Sequence, residues 1–252
     1  MKREYLYLSS VCEDYHNLAI KYNLGIEIAQ YCTAYNMDEK FKETNIEVID
    51  AMHGIDRFTF HAPFNELCPA AIDPKVKQIA YERYKQAFKL ASSYNINKII
   101  IHSGYIPLVY YKSYFVEEAV KFFKEILTYV DEKVVICLEN VMEDEADMLF
   151  EIVSRVNDKR FGLCLDIGHA NASSDIDVID WLKKDSKFIN HFHIHNNYGA
   201  RDEHNSLDKG NIKMKEFFDL ASKLCPNATY TIESMDALNS IKYLIDNKIL
   251  ED

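Results

Sequence analysis

The feature that most constrains this chain is an alternation: short runs rich in β-branched and aromatic residues give way, eight times over, to longer amphipathic stretches. Such alternation marks parallel βα units, because each strand needs a crossover segment before the next can lie beside it in the same direction. The eight runs are Tyr5 to Ser9, Gly25 to Gln30, Phe58 to Ala62, Lys98 to Ser103, Val134 to Asn140, Phe161 to Gly168, Ile189 to His195 and Thr229 to Ser234. Between them lie stretches such as VKQIAYERYKQAFKLASSY, where Val76, Ile79, Ala80, Tyr84, Ala87, Phe88, Leu90 and Ala91 approximate a helical stripe.

A chain of 252 residues matches one closed α/β barrel in length. No Gly/Ser-rich linker, charge block or low-complexity segment interrupts the pattern, and the prolines at 63, 69, 74, 107 and 226 fall outside the proposed strands and helix interiors. The first βα junction lacks GxGxxG, which speaks against a doubly wound open sheet. The expected fold is therefore α/β, a single-domain (β/α)8 TIM barrel over residues 1–252.

Composition narrows the function classes. No apolar run reaches the roughly 18 residues of a membrane span, and the segment MKREYLYLSSVCEDYHN lacks the apolar stretch and small-residue cleavage site of a signal peptide. Six scattered cysteines with no CxxC pair read as free thiols, Cys137 and Cys164 inside strand runs, and point to a reducing, cytoplasmic setting. A net charge of −11 supplies no overall attraction to nucleic acid, so DNA is only weakly supported as a partner.

The chemistry is legible in where His, Asp and Glu fall. Strand three ends FTFHA with His61, strand four IIIHSG with His102, strand five ICLEN with Glu139, and strand six CLDIGH with Asp166 and His169. Strand seven reads HFHIHN with His193, its following loop carries Asp202 and His204 in RDEH, and strand eight ends TIES with Glu233. In a barrel those positions converge on one bowl at the C-terminal ends of the strands. So many ionisable groups around one axis would be costly to desolvate unless cations balanced the carboxylates. Mixed imidazole and carboxylate donors suit Zn²⁺, Mn²⁺ or Fe²⁺ better than Mg²⁺ or Ca²⁺. On strand seven, His191, His193 and His195 alternate and so share a face; His193 is the expected ligand, His195 an outer or substrate contact, and His191 lies deeper.

These motifs resemble the xylose-isomerase-like barrel superfamily, which includes sugar isomerases and epimerases and the endonuclease IV group of AP endonucleases (AP endonuclease family 2). The resemblance runs over nearly the whole chain. It implies a single divalent ion held, epimerase-style, by Glu139 in LEN, Asp166 in CLDIGH, His193 in HFHIHN and Glu233 in TIES. The endonuclease IV likeness implies three zinc ions instead: His61 and His102 with Glu139 at the first, Glu139 bridging to Asp166, His193 and Glu233 at the second, and His169, Asp202 and His204 at the third. The segment DEHNSLDKGNI is the most specific match to the nucleases, whereas GIEIAQY, with Glu27 as a sugar-binding candidate, is closer to the isomerases, and no DNA-inserting loop is identifiable.

Charge balance separates the two. Three divalent ions outweigh the carboxylates of Glu139, Asp166, Asp202 and Glu233 and would attract an anion, while one ion among Glu139, Asp166 and Glu233 leaves a slightly negative site suited to a neutral polyol. The complete set favours a phosphoester hydrolase with two or three zinc ions, Mn or Fe being alternatives, acting through a metal-bridging hydroxide oriented by Glu139. The alternative is a sugar or sugar phosphate isomerase or epimerase with one metal and Glu139 and Glu233 as acid and base. Arg201 is a candidate phosphate contact, and the aromatic loop GYIPLVYYKSYF a candidate lid.

Overall fold

In the computed structural model, which describes residues 1–184 and 186–251, eight parallel strands close on themselves in chain order. They are β1 (Leu6–Ser9), β2 (Gly25–Ile28), β3 (Phe58–His61), β4 (Lys98–His102), β5 (Val135–Glu139), β6 (Phe161–Asp166), β7 (Ile189–Ile194) and β8 (Thr229–Ile232). Closure is made where β8 returns to β1, with Leu8 opposite Ile232. The crossovers are α1 (Tyr15–Tyr22), α2 (Ala34–Met37), α3 (Phe41–Met52), α4 (Pro74–Ser93), α5 (Lys112–Ile126), α6 (Asp147–Val156), α7 (Ile167–Ser173), α8 (Val178–Lys184) and α9 (Met214–Leu224), with α10 (Ala237–Asp246) following β8. None of the described helices is long and apolar enough to cross a membrane.

Local chemistry explains the boundaries. Asp73 caps α4 by accepting from the Lys75 amide, and Pro74 occupies the first turn, where a missing N–H costs nothing. Ala80, Tyr84, Ala87, Phe88 and Ala91 form its buried face, but Val76 and Ile79, read from sequence as part of that stripe, are 38% and 51% exposed. Ile79 lies about 100° round the helix from Ala80, and Val76 belongs to the first turn. Strand six stops at Asp166 rather than Gly168, since the Asp166 side chain accepts from the His169 amide and starts α7.

The barrel has two unlike interiors. Between sheet and helices lies the large apolar core, with Phe60, Phe123, Trp181, Phe192 and Phe217 fully enclosed. Inside the sheet, the apolar cluster among the described residues is Ile100, Cys137 and Cys164 with Val135 against them, and the remaining inward positions include Glu27, Thr59, His191, His193 and Thr231. A register shift between Leu163 and Cys164 makes Asn190 an extra residue on β7, the kind of bulge that re-aims the side chains following it. Five of the six free cysteines are buried, and Cys32 is half-buried.

The loop after β4 packs outward. Tyr105 and Tyr110 lie against Phe115 of α5 at 5.1 and 5.9 Å between ring centres, while Ile106 to Val109 face solvent and line no part of the cavity described below.

Candidate metal centre

The strand ends bring their ionisable groups around one axis, with Glu139 at the centre. Its Oε1 is 3.1 Å from His193 Nδ1 and 3.3 Å from His169 Nδ1, and its Oε2 is 3.3 Å from His61 Nε2 and 3.5 Å from His102 Nε2. His193 Nδ1 also faces Glu233 Oε2 at 3.4 Å and Asp166 Oδ2 at 3.8 Å. One donor atom from each of Glu139, Asp166, His193 and Glu233 falls within 4.8 Å of the others, and all four residues are buried.

A second cluster adjoins the first. His169, His195, Asp202 and His204 meet the same mutual distance, with His204 Nε2 2.8 Å and His169 Nε2 3.3 Å from Asp202 Oδ2. All nine residues expected as ligands are thus brought together. His102 is steered by Phe64, which stacks on its ring at 4.3 Å, and His204 is anchored by the Glu233 carbonyl at 3.0 Å.

The residues expected as substrate contacts are placed elsewhere. None of Glu27, His195 and Arg201 is among those lining the cavity above the centre. Glu27 is fully enclosed on the axis below it. His195 is enclosed too, its Nε2 3.1 Å from Asp166 Oδ1, so it belongs to the second cluster. Arg201 is exposed on the loop that carries Asp202 and makes no ion pair among the described residues.

Several neighbours escaped sequence reasoning. Asn140 clamps β5 to β6, its Nδ2 donating to the Asp166 carbonyl and its Oδ1 accepting from the Asp166 amide, each at 2.9 Å. Its position directly after Glu139 was the available signal. Ser9, Val11, Ala29, Cys32, Phe64, Glu203 and Met235 join the clustered groups around a cavity of about 520 Å³. Its described lining contains neither Lys nor Arg.

Electrostatics reflects crowding. Burial opposes charge on Glu139, but the charge of His193 and the hydrogen bonds of His169 and His193 prevail and hold it well below the ordinary carboxylate range. Glu233 is raised, by burial and by the like charges of Glu139, Glu27 and Asp166. Burial depresses His102 to about 3, so its imidazole is neutral and offers a lone pair without losing a proton. Burial opposes charge on His193, but Cys164 and then the carboxylates of Glu233, Glu139 and Glu27 outweigh it and raise it well above its ordinary value.

A divalent cation fits this donor set. Three carboxylates converge on one imidazole nitrogen among buried residues, and buried Glu139 Oε2 has no hydrogen-bond partner of its own among the described residues.

Comparison with known proteins agrees with the architecture. The chain is 29% identical over 192 residues to the uncharacterised protein MJ1311 of Methanocaldococcus jannaschii, a match covering 72% of this chain and 66% of the relative. Among solved structures, a D-tagatose 3-epimerase-like protein superposes with a TM-score of 0.80 at 25% identity, covering 96% of both chains. The IOLI protein with a bound zinc atom superposes with a TM-score of 0.77 over 96% of this chain and 97% of its own, a likeness of fold at 17% identity. The xylose isomerase-like TIM barrel model matches residues 9–242, and the chain belongs to that family.

Proposed function

We propose that this protein is a divalent-metal-dependent sugar isomerase or epimerase, with Glu139 and Glu233 as the acid and base pair. The observation that carries the reading is the cavity lining: both carboxylates are present, hydrophobic walls come from Val11, Ala29, Phe64 and Met235, and no Lys or Arg is among its described residues to pair with a phosphate. A neutral polyol suits such a lining better than a phosphoester. The likeness to the D-tagatose 3-epimerase-like protein points the same way.

A bound divalent cation, Zn²⁺, Mn²⁺ or Fe²⁺ by the donor set, would supply polarisation of the substrate's carbonyl and hydroxyl oxygens. The two carboxyls are driven apart in proton affinity, which is how acid and base roles are divided between chemically similar groups. Glu139, held low, accepts the proton from the carbon beside the carbonyl; the C–H electron pair becomes a C=C bond and the carbonyl π pair moves onto its oxygen, leaving an enediolate. Glu233, held high, delivers a proton. Delivery to the same carbon from its other face, as the carbonyl re-forms, gives the epimer; delivery to the former carbonyl carbon, with the neighbouring hydroxyl proton passing to the former carbonyl oxygen as the new carbonyl forms, gives the aldose–ketose isomer. The buried hydroxyl of Ser9, which has no hydrogen-bond partner and borders the cavity, is placed to engage a substrate hydroxyl.

The test is deuterium uptake at the α carbon of unphosphorylated ketopentoses and ketohexoses in D₂O, followed by NMR, with the cation content of the protein measured alongside. Exchange with one bound cation is the expected result. The second cluster favours a different reading, phosphoester hydrolysis at a polynuclear site. Two or three bound cations, no exchange on any ketose, and cleavage of an activated phosphodiester or of abasic-site DNA would put that reading in its place.

A further inference from the structure

Below the candidate centre, on the barrel axis, lies a charged residue that touches no part of the cavity. Glu27 is fully buried, and its Oε2 accepts from Thr59 Oγ1 at 2.9 Å and from Thr231 Oγ1 at 3.0 Å. Its Oε1 lies 3.0 Å from His193 Nε2, an ion-pair contact, and both atoms are buried with no hydrogen-bond partner among the described residues. The opposite edge of the same ring, Nδ1, faces Glu139 and Glu233.

The polarity of the contacts beneath Glu27 can be followed from the floor of the barrel. Lys98 Nζ, a group that only donates, gives hydrogen bonds to the Asn190 carbonyl at 3.2 Å and to Thr229 Oγ1 at 2.7 Å. Among the described residues the Thr229 hydroxyl proton then has one acceptor, His191 Nδ1 at 2.6 Å. Accepting there, His191 carries its proton on Nε2, which faces Thr231 Oγ1 at 2.9 Å and Glu27 Oε2 at 3.3 Å. The Thr231 hydroxyl in turn donates to Glu27. Every neighbour of Glu27 on this side is a donor, so its carboxylate remains an acceptor toward His193.

We infer that Glu27 is a positioning residue: the chain Lys98, Thr229, His191, Thr231 and Glu27 holds the proton of His193 on Nε2 and presents Nδ1 to the cation. The inference rests on the reading of Glu139, Asp166, His193 and Glu233 as a cation site. A carboxylate behind a ligating imidazole fixes its tautomer and ring angle and raises its basicity, and loss of such a partner lowers metal affinity about 10- to 100-fold. The arrangement also accounts for a carboxylate kept deep in the sheet, where an unpaired charge would be costly.

The test uses the full chain, freed of metal and titrated with Zn²⁺ by calorimetry, with the His193 tautomer read from ¹⁵N chemical shifts in the Zn²⁺-loaded protein. The wild type is expected to show protonated Nε2 and coordinated Nδ1. Glu27→Gln is expected to weaken Zn²⁺ binding about 10- to 100-fold and to mix the tautomers. Thr231→Val, which keeps the charge and removes one donor, should shift both readouts in the same direction by less, and it serves if the Gln variant does not fold. Coordination through Nε2 in the wild type, or Zn²⁺ binding by Glu27→Gln within about twofold of wild type with an unchanged tautomer, overturns the inference alone. No Zn²⁺ uptake by the wild type overturns the cation site itself.

Discussion

The rings of His195 and His204 stack face to face, 4.0 Å between centres and 11° between planes, both with Nε2 toward Asp202. Two positive charges on rings this close would repel, so the pair is built around the single negative charge of Asp202 or around a cation beside it. Only His204 of the two lines the cavity. His204→Ala is therefore expected to leave the Glu139, Asp166, His193 and Glu233 set able to hold one cation, and to slow deuterium exchange on the ketose by no more than about tenfold, the low end for an outer partner. Elemental analysis and the exchange assay check this. Loss of all cation together with all activity would show that the two clusters work as one unit.

The same pair predicts how stability of the metal-stripped protein depends on pH. Burial works against a charged His204, but the Asp202 hydrogen bond and the charges of Glu233, Asp202 and Asp166 raise it from 6.5 to about 9. The folded state then binds a proton more tightly than the unfolded chain. This contribution is fully present below about pH 6.5 and lost as pH rises through about 9. Asp202, held low chiefly by His169 and His204 against burial, contributes in the opposite window, above about pH 4. Urea midpoints measured from pH 6 to 10 should fall for the wild type, with a shallower fall in His204→Asn. Parallel curves for the two proteins would remove the pair from the account.

How far the sequence carried depended on whether a property is local. Strand alternation is local, and the eight runs placed every strand to within two residues at each end. Depth along the barrel is not local. Glu27 reads as inward-facing from GIEI, but its level is set by register, and pairing with Thr59 places it two residues below His61 on the neighbouring strand. That stagger turned an expected sugar contact into a group beneath the centre. His195, expected as an outer or substrate contact, sits against Asp166 and is shut off from the cavity because α7 begins at Ile167 and closes over it. The bulge at Asn190 has no signature in INHFHIH, yet it precedes both buried histidines of β7.

A separate buried carboxyl ties the loops after β4 and β5 together. Glu143 is 2% exposed, accepts from the Ser103 hydroxyl through one oxygen, and accepts from the Val141 amide at 2.6 Å through the other. Ser103 Oγ in turn accepts from the Tyr105 amide at 3.1 Å. Glu143→Ala strands these donors and is expected to cost about 1 to 3 kcal/mol per unsatisfied buried group. Glu143→Gln, which retains an acceptor for Val141 and a donor for Ser103, should cost far less. Burial raises the Glu143 carboxyl, so removing its charge relieves a desolvation penalty at neutral pH. Chemical denaturation of the two variants distinguishes them, and equal losses would mean that the hydrogen bonds contribute nothing beyond packing.

Gly168 offers a steric test of the second cluster. A Cβ built there would lie 1.9 Å from Cε1 of His195 and 2.4 Å from both ring nitrogens. The His195 ring has no free direction of retreat: it is fully enclosed, stacked on His204 at 4.0 Å and held to Asp166 at 3.1 Å. Gly168→Ala must therefore displace either the ring or the start of α7, and overpacking of this kind costs about 1 to 3 kcal/mol. Because Asp166 both caps α7 and faces His195, the displacement should reach the centre as weaker cation binding, while Glu139 at the end of β5 and Glu233 just past β8 keep their places. Calorimetric titration alongside urea denaturation reads both effects. An alanine variant with wild-type stability and cation affinity would mean that the His195 ring is free to move, and would sink the assignment of His195 as a fixed member of the cluster.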